Sequence, residues 1–261
     1  MIIYKTAEEV ELIRESSLLI GKTLAVLAPL IKPGALGSDL DKVAEDFIRS
    51  HGDAVPAFKG LYGCPSSLLI SVNSAVVHGI PSNIPFKEGD VISIDCGVYK
   101  NGFYGDSAFT FPVGELKPDV KKLLRVTYEC LMLGIEKVKP GNRVGDISFA
   151  VQNHAESNGY SVVRELVGHG LGRSLHEKPE VPNYGRRGSG PALKEGMVIA
   201  IEPMINMGKA RVVTEQDGWT VRAADNLPSA HYEHTVAVTK NGVEILSTFD
   251  DLKDIVNSIT N

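Results

Sequence analysis

The chain predicts an α+β fold in which two similar halves pack as a single domain over residues 1–261. Three observations carry this expectation. First, two pairs of helical segments, one early and one in mid-chain, are each divided by a Lys-Pro-Gly stop. Second, a constant spacing relates the two halves. Lys32-Pro33-Gly34, Asp39 and Gly52 recur 107 positions later as Lys139-Pro140-Gly141, Asp146 and Gly159, and Lys87-Glu88-Gly89 recurs as Lys194-Glu195-Gly196 with the same offset. Third, each of those Lys-Glu-Gly sequences opens an apolar run that ends on an acid, Asp95 in one half and Glu202 in the other. The unit is longer than a solenoid repeat. It suggests an internal duplication with halves near 6–111 and 113–246, and a pseudo-twofold relation between Asp95 and Glu202.

The elements follow in order. Thr6 with Glu9 three residues later forms a capping box. Val10, Ile13, Ile20, Leu24 and Leu27 then recur at helical spacing until Lys32-Pro33-Gly34. A second helix starts near Ser38, turns Leu40, Val43 and Phe47 inward, and ends at Gly52. Pro118 opens a third, with Val120, Leu124 and Leu131 on one face, and a fourth runs from Asp146-Ile147 to Gly159. Val91 to Val98 alternates as a strand, Asn101-Gly102 marks a hairpin, and Phe103 to Phe111 returns. Met197 to Ile201 is a continuous apolar run, expected to be a buried strand. His231 to Thr239 reads as a further strand, ending at Asn241-Gly242.

Bulk composition narrows the function classes. Apolar residues make up 43% of the 261, enough for a substantial core. The net charge of −5 comes from 27 basic and 32 acidic residues mixed along the chain, with no basic stripe to favour nucleic acid. Cys64, Cys96 and Cys130 are odd in number and far apart, which argues against a disulfide framework or a zinc knuckle and suits a reducing compartment. The N-terminus lacks a signal-peptide pattern, and no window reaches the length of a membrane span. The expectation is a soluble, cytoplasmic protein.

The acids point to a metal. In the 91–111 hairpin, Asp95 sits opposite Asp106 if the loop is Lys100-Asn101. If the loop is Asn101-Gly102, Asp95 sits opposite Ala108 and diagonal to Asp106. Either register puts both carboxylates on one face, roughly 5–8 Å apart. Such a pair must raise one pKa or bind a cation. Glu202 ends a buried run, where a carboxylate needs a partner, a buried salt bridge being the alternative to a cation. Glu233 lies on the last long strand. His169 sits between glycines that let backbone and ligand approach closely, in Val167-Gly168-His169-Gly170-Leu171-Gly172. His78 follows a strand and His176 lies seven residues after His169. His51, His154, His231 and His234 are read as structural or exposed. Two Asp, two Glu and one His form an oxygen-rich set with one imidazole, suited to a pair of divalent ions such as Mn, Fe, Co or Zn.

The sequence resembles the type I methionine aminopeptidases, whose fold is called pita-bread. The resemblance rests on Ser71-Val72-Asn73, Val77-His78-Gly79-Ile80-Pro81, Ile94-Asp95, Gly102-Phe103-Tyr104-Gly105-Asp106, Gly168-His169-Gly170-Leu171-Gly172-Arg173 with His176-Glu177, Ile201-Glu202-Pro203-Met204, Asp217-Gly218-Trp219-Thr220 and Tyr232-Glu233-His234-Thr235. It implies that Asp95, Asp106, His169, Glu202 and Glu233 are the metal ligands, with Asp106 and Glu233 bridging. It implies substrate-facing roles for His78 and His176, a side-chain pocket containing Trp219, and a proton-shuttling role for Glu202. Leu61, Cys64 and Leu175 stand where many bacterial relatives carry two tyrosines and a phenylalanine, so the pocket stays apolar with an altered shape.

The implied activity is removal of the initiator methionine when the second residue is small, by a hydroxide bridging two divalent ions (Co, Mn, Fe or Zn). The implied partners are N-terminal Met peptides and nascent chains at the ribosome. Nucleic acid and membrane are not expected partners, and the resemblance favours a monomer. A proline-directed relative is the enzymatic rival, and a non-catalytic binding module on the same fold is the rival from another class.

Overall fold

The computed structural model describes residues 1–260. The first half opens with α1 (Ala7–Leu27) and α2 (Gly37–Arg49), then β1 (Val55–Pro56), β2 (Leu68–Val72), β3 (Ala75–Val77), β4 (Val91–Lys100) and β5 (Phe103–Pro112). The second opens with α3 (Pro118–Ile135) and α4 (Val144–Ser157). Strands β6 (Ser161–Val162), β7 (Val167–Gly170), β8 (Glu177–Pro182), β9 (Val198–Ile201) and β10 (Met204–Asn206) follow. Next come β11 (Val212–Thr214), β12 (Val221–Ala223), β13 (Ser229–His231), β14 (His234–Thr239) and β15 (Gly242–Ile245), before α5 (Lys253–Thr260) closes the fold. Among the described residues, no helix is long and apolar enough to cross a membrane.

The helices form where local chemistry favours them. Thr6 Oγ1 accepts from the Glu9 N–H at 3.2 Å and the Glu9 carboxylate accepts from the Thr6 N–H at 3.1 Å, so the expected capping box is present. Helix α1 stops at Leu27, earlier than the Lys32-Pro33-Gly34 signal, because Pro29 cannot continue the α-helical ladder and a 3₁₀ turn over Ala28–Leu30 replaces it. Pro118 occupies the first turn of α3, where its missing N–H costs nothing. Gly34 and Gly141, with φ of 88° and 93°, make the sharp turns after the Lys-Pro pairs.

Two antiparallel sheets carry the site. In the first, β4 pairs with β5 along one edge and with β2 and β1 along the other. The second has the order β15-β14-β9-β7-β8. Two smaller sheets, β13-β10-β6 and β11-β12-β3, complete the fold. One apolar core joins the halves: Leu24 and Leu27 of α1, Leu40 of α2, Ile92 and Ile94 of β4, Leu124 and Leu131 of α3, Ile147 of α4, and Ile199 and Ile201 of β9. Helix α1 lies against β5 so closely that a Cβ on Gly105 would stand 2.6 Å from the Ser17 nitrogen.

The hairpin takes the second of the two registers. Asp95 pairs with Ala108 and Gly97 with Asp106. The turn is Asn101-Gly102, both at positive φ (52° and 84°), as a tight two-residue turn demands. One expected element is not continuous: His231 to Thr239 divides into β13 and β14, which belong to different sheets. Its neighbour divides in the same place, β9 from β10 at Glu202-Pro203. Met204 pairs with His231 on one side of the break and Ile201 with His234 on the other. Pro203 has no N–H to give to the ladder, so the pairing opens there.

Candidate metal centre

The break in the ladder is where the site is built. Glu202 and Glu233 occupy the facing gaps between β9 and β10 and between β13 and β14. Asp95 on β4 and Asp106 on β5 approach from the first sheet, and His169 on β7 from the second. Side-chain and backbone bonds sew β5 to the gap. Ser107 Oγ donates to Glu233 O at 2.6 Å, Glu233 N donates to Ala108 O at 2.9 Å, and Thr235 Oγ1 donates to Asp106 O at 2.7 Å. Asp106 and Glu233 are thereby held side by side.

One ligand atom each from Asp106, His169 and Glu233 lies within 4.8 Å of the others, and all three residues are buried. His169 Nε2 stands 3.7 Å from Asp106 Oδ2 and 3.6 Å from Glu202 Oε1. Two atoms each about 2.1 Å from a shared divalent ion stand roughly 3.4–3.7 Å apart at tetrahedral to trigonal angles. The tautomer of His169 suits a ligand. Its Nδ1 is 3.0 Å from the Gly170 carbonyl, which can only accept, so the proton sits on Nδ1 and Nε2 presents a lone pair.

The electrostatics call for a cation. Burial, reinforced by the neighbouring acids, drives Asp106 and Glu233 well above the usual carboxylate range and raises Asp95. Burial alone pushes Glu202 up to about 8. Buried oxygens on Asp95, Asp106 and Glu233 have no hydrogen-bond partner. No lysine or arginine lies within ion-pair distance of any of these acids among the described residues, and burial lowers the two imidazoles beside Glu202, which disfavours the salt-bridge alternative for that acid. Four oxygen donors and one imidazole fit divalent ions.

A cavity of about 150 Å³ opens over the acids. Its floor holds Asp95, Asp106, His169, Glu202 and Glu233, and its wall holds Leu61, Cys64, Leu175 and Trp219, with His78 and His176 beside them. Every candidate residue therefore meets in one place. Trp219 is presented by a turn in which Asp217 Oδ1 accepts from the N–H groups of Trp219 and Thr220, at 2.8 and 2.9 Å. His78 and His176 also face an adjoining groove of about 420 Å³ that leads away past Glu165 and Met204. Burial lowers both imidazoles, His78 to about 4, so both are neutral near pH 7.

Phe58, Leu69 and Tyr62 also line the cavity, and nothing in the sequence separated them from ordinary core or surface residues. Tyr62 is exposed and its ring stacks on His176 at 5.9 Å between centroids. His231, read as structural or exposed, is buried, with Nε2 3.6 Å from Glu202 Oε2. Its position two residues before Glu233 was the available signal. His154 pairs with Glu129 and His234 with Ser247, as structural histidines do.

The glycines around His169 permit strand contact. A Cβ on Gly168 would run into the Ala200 carbonyl and lie 3.3 Å from Glu202 Cγ. Gly168→Ala is expected to lower stability by about 1–3 kcal/mol and to displace Glu202, with a thermal melt as the check. An unchanged melting temperature would contradict this packing.

The sheets bring four carboxylates and one imidazole to one buried point, a donor set of the kind that metal-dependent enzymes use. The family model for metallopeptidase family M24 matches residues 11–240, and the chain belongs to that family. It is 54% identical over 247 residues to a methionine aminopeptidase of Clostridium perfringens, covering 95% of this chain and 99% of the relative. The crystal structure of methionine aminopeptidase from Rickettsia prowazekii superposes with a TM-score of 0.93 at 42% identity, covering 95% of this chain and all of the other. A prolidase from Pyrococcus furiosus matches with a TM-score of 0.76 at 27% identity, over 94% of this chain but only 65% of that one.

Proposed function

We infer that this chain is a metal-dependent methionine aminopeptidase that removes an N-terminal methionine when the second residue is small. The observation that carries the reading is the cluster of four acids and His169 at the floor of a small apolar cavity, with no lysine or arginine to neutralise it among the described residues. Full-length similarity to methionine aminopeptidases supports it. The lower identity and TM-score of the prolidase, 27% and 0.76 against 42% and 0.93 for the Rickettsia prowazekii methionine aminopeptidase, disfavour the proline-directed rival, and the filled ligand set disfavours a binding module.

Asp95, Asp106, His169, Glu202 and Glu233 are the residues that would hold two divalent ions, Mn, Fe, Co or Zn. When bound, such ions acidify water and polarise a carbonyl. The chain does the rest. Leu61, Cys64, Leu175, Trp219 and the added face of Phe58 surround an unbranched apolar side chain and exclude water. His176, neutral and at the mouth, donates to the carbonyl oxygen as charge develops there. His78 contacts the scissile amide, whose downstream chain leaves along the Glu165–Met204 groove. Glu202 takes a proton from the attacking water at a carboxylate oxygen and gives it to the leaving amine. Nascent chains at the ribosome are the implied substrates, the enzyme acting as a monomer. The two helix-then-strand halves, 6–111 and 113–246, are read as one duplicated unit.

The test is kcat/KM across Met-Ala, norleucine-Ala, Leu-Ala, Met-Lys and Ala-Pro peptides. Met-Ala is expected to lead, Met-Lys to be cleaved poorly, and norleucine or Leu to follow within about 10–200-fold, the range a methylene difference commands. Trp219→Ala should lower Met-Ala turnover. Cleavage of Ala-Pro without Met-Ala would transfer the chain to the proline-directed branch.

A further inference from the structure

We propose that His231 is a positioning residue of the metal centre, its Nε2–H holding Glu202 Oε2 so that Oε1 faces His169. The inference rests on the reading of Glu202 as a metal ligand. Glu202 needs such support because it lies just outside β9, where the ladder opens at Pro203, and strand pairing does not fix its orientation.

His231 is held rigidly. Its N–H donates to Thr110 Oγ1 at 2.9 Å and its carbonyl accepts from the same hydroxyl at 2.7 Å. Its side chain is 2% exposed, yet Nε2 has no hydrogen-bond partner and points at Glu202, 3.6 Å from Oε2. Glu202 thus lies between two imidazoles at equal distance, His169 beside Oε1 and His231 beside Oε2. The two differ in what they face. His169 lines the cavity and offers a lone pair, whereas His231 lines neither the cavity nor the groove. It reaches the carboxylate from behind. A carboxylate with one oxygen toward a cation uses the other to accept from a donor, and such outer partners set ligand orientation and metal affinity. A neutral ring with its proton on Nε2 meets that need.

The experiment is calorimetric titration of the metal-free full chain with Mn²⁺, for the wild type, His231→Met and His231→Gln. Methionine keeps the bulk without a donor, and glutamine restores an N–H at similar reach. His231→Met is expected to weaken Mn²⁺ binding about 10–100-fold, with His231→Gln recovering most of the loss. Equal affinity in wild type and His231→Met would overturn the proposal, as would equal loss in both variants. A wild type that binds no Mn²⁺ would instead remove the metal-centre reading itself. Nitrogen NMR of the histidine-labelled, zinc-loaded wild type gives an answer even if a variant does not fold. His231 should be protonated on Nε2, and a ring coordinated to zinc or protonated only on Nδ1 would overturn the assignment.

Discussion

Asp106→Ala and Glu233→Ala chains should each lose at least about three orders of magnitude in kcat/KM on a Met-Ala peptide, about 4 kcal/mol of transition-state stabilisation. Each substitution removes a carboxylate that has buried oxygen with no protein partner, so little native bonding is lost with it. The bonds that align this region use the main chain at both positions: Thr235 Oγ1 to Asp106 O, and Ser107 Oγ to Glu233 O. The fold should therefore survive. Metal-free variants should melt at or above the metal-free wild type, because one of four mutually repelling acids is gone. Kinetics, elemental analysis and a thermal melt check the three parts. Full activity with metal retained in either variant would sink the ligand assignment.

Metal should stabilise the folded chain, and more strongly as pH rises. Binding to the native state alone adds on the order of 3 kcal/mol at a hundredfold excess over Kd. The pH dependence follows from the direction of the shifts. Burial raises the folded-state pKa values of Asp95, Asp106, Glu202 and Glu233, so the metal-free native state keeps protons that the unfolded chain has released. Its stability falls as pH rises through that interval. The buried histidines act in the opposite direction, but their contribution is complete near the ordinary value of 6.5, with His78 and His169 lowered to about 4. From pH 6.5 to about 8 the acids alone set the slope. Bound cations keep the acids ionised in the native state and remove that slope. The gain in Tm on adding metal should therefore widen across this window. Equal melting of the metal-free and metal-loaded protein would count against a clustered site.

The helices were legible because their signals are local: the Thr6–Glu9 box, the apolar spacing and the Lys-Pro-Gly stops. The hairpin was legible to within one choice of register, and Asn101, able to take positive φ beside Gly102, settles it. The division of His231–Thr239 was not legible, since Tyr232-Glu233 carries no breaking residue. The cause lies across the sheet at Pro203, a long-range pairing that no local pattern records. The acids and His169 stood out because each contradicts an apolar or glycine-rich setting. Phe58 and Leu69 did not, because an apolar wall residue and a core residue have the same chemistry. The direction of the His231 ring was not legible, because its place two residues before Glu233 marks nearness to the acids and not orientation.

The five groups come from β4, β5, β7 and the two facing gaps in the ladder, and no single stretch of chain holds more than two of them. The hairpin pair, Asp95 and Asp106, is the largest local share. A cation consequently finds two of the five groups at most until both large sheets are assembled and the break between β9 and β10 faces the break between β13 and β14. Contacts that complete only in the finished topology slow departure from the native state without hastening arrival. The cation would then govern how long a folded molecule persists, and the polypeptide alone how quickly it forms.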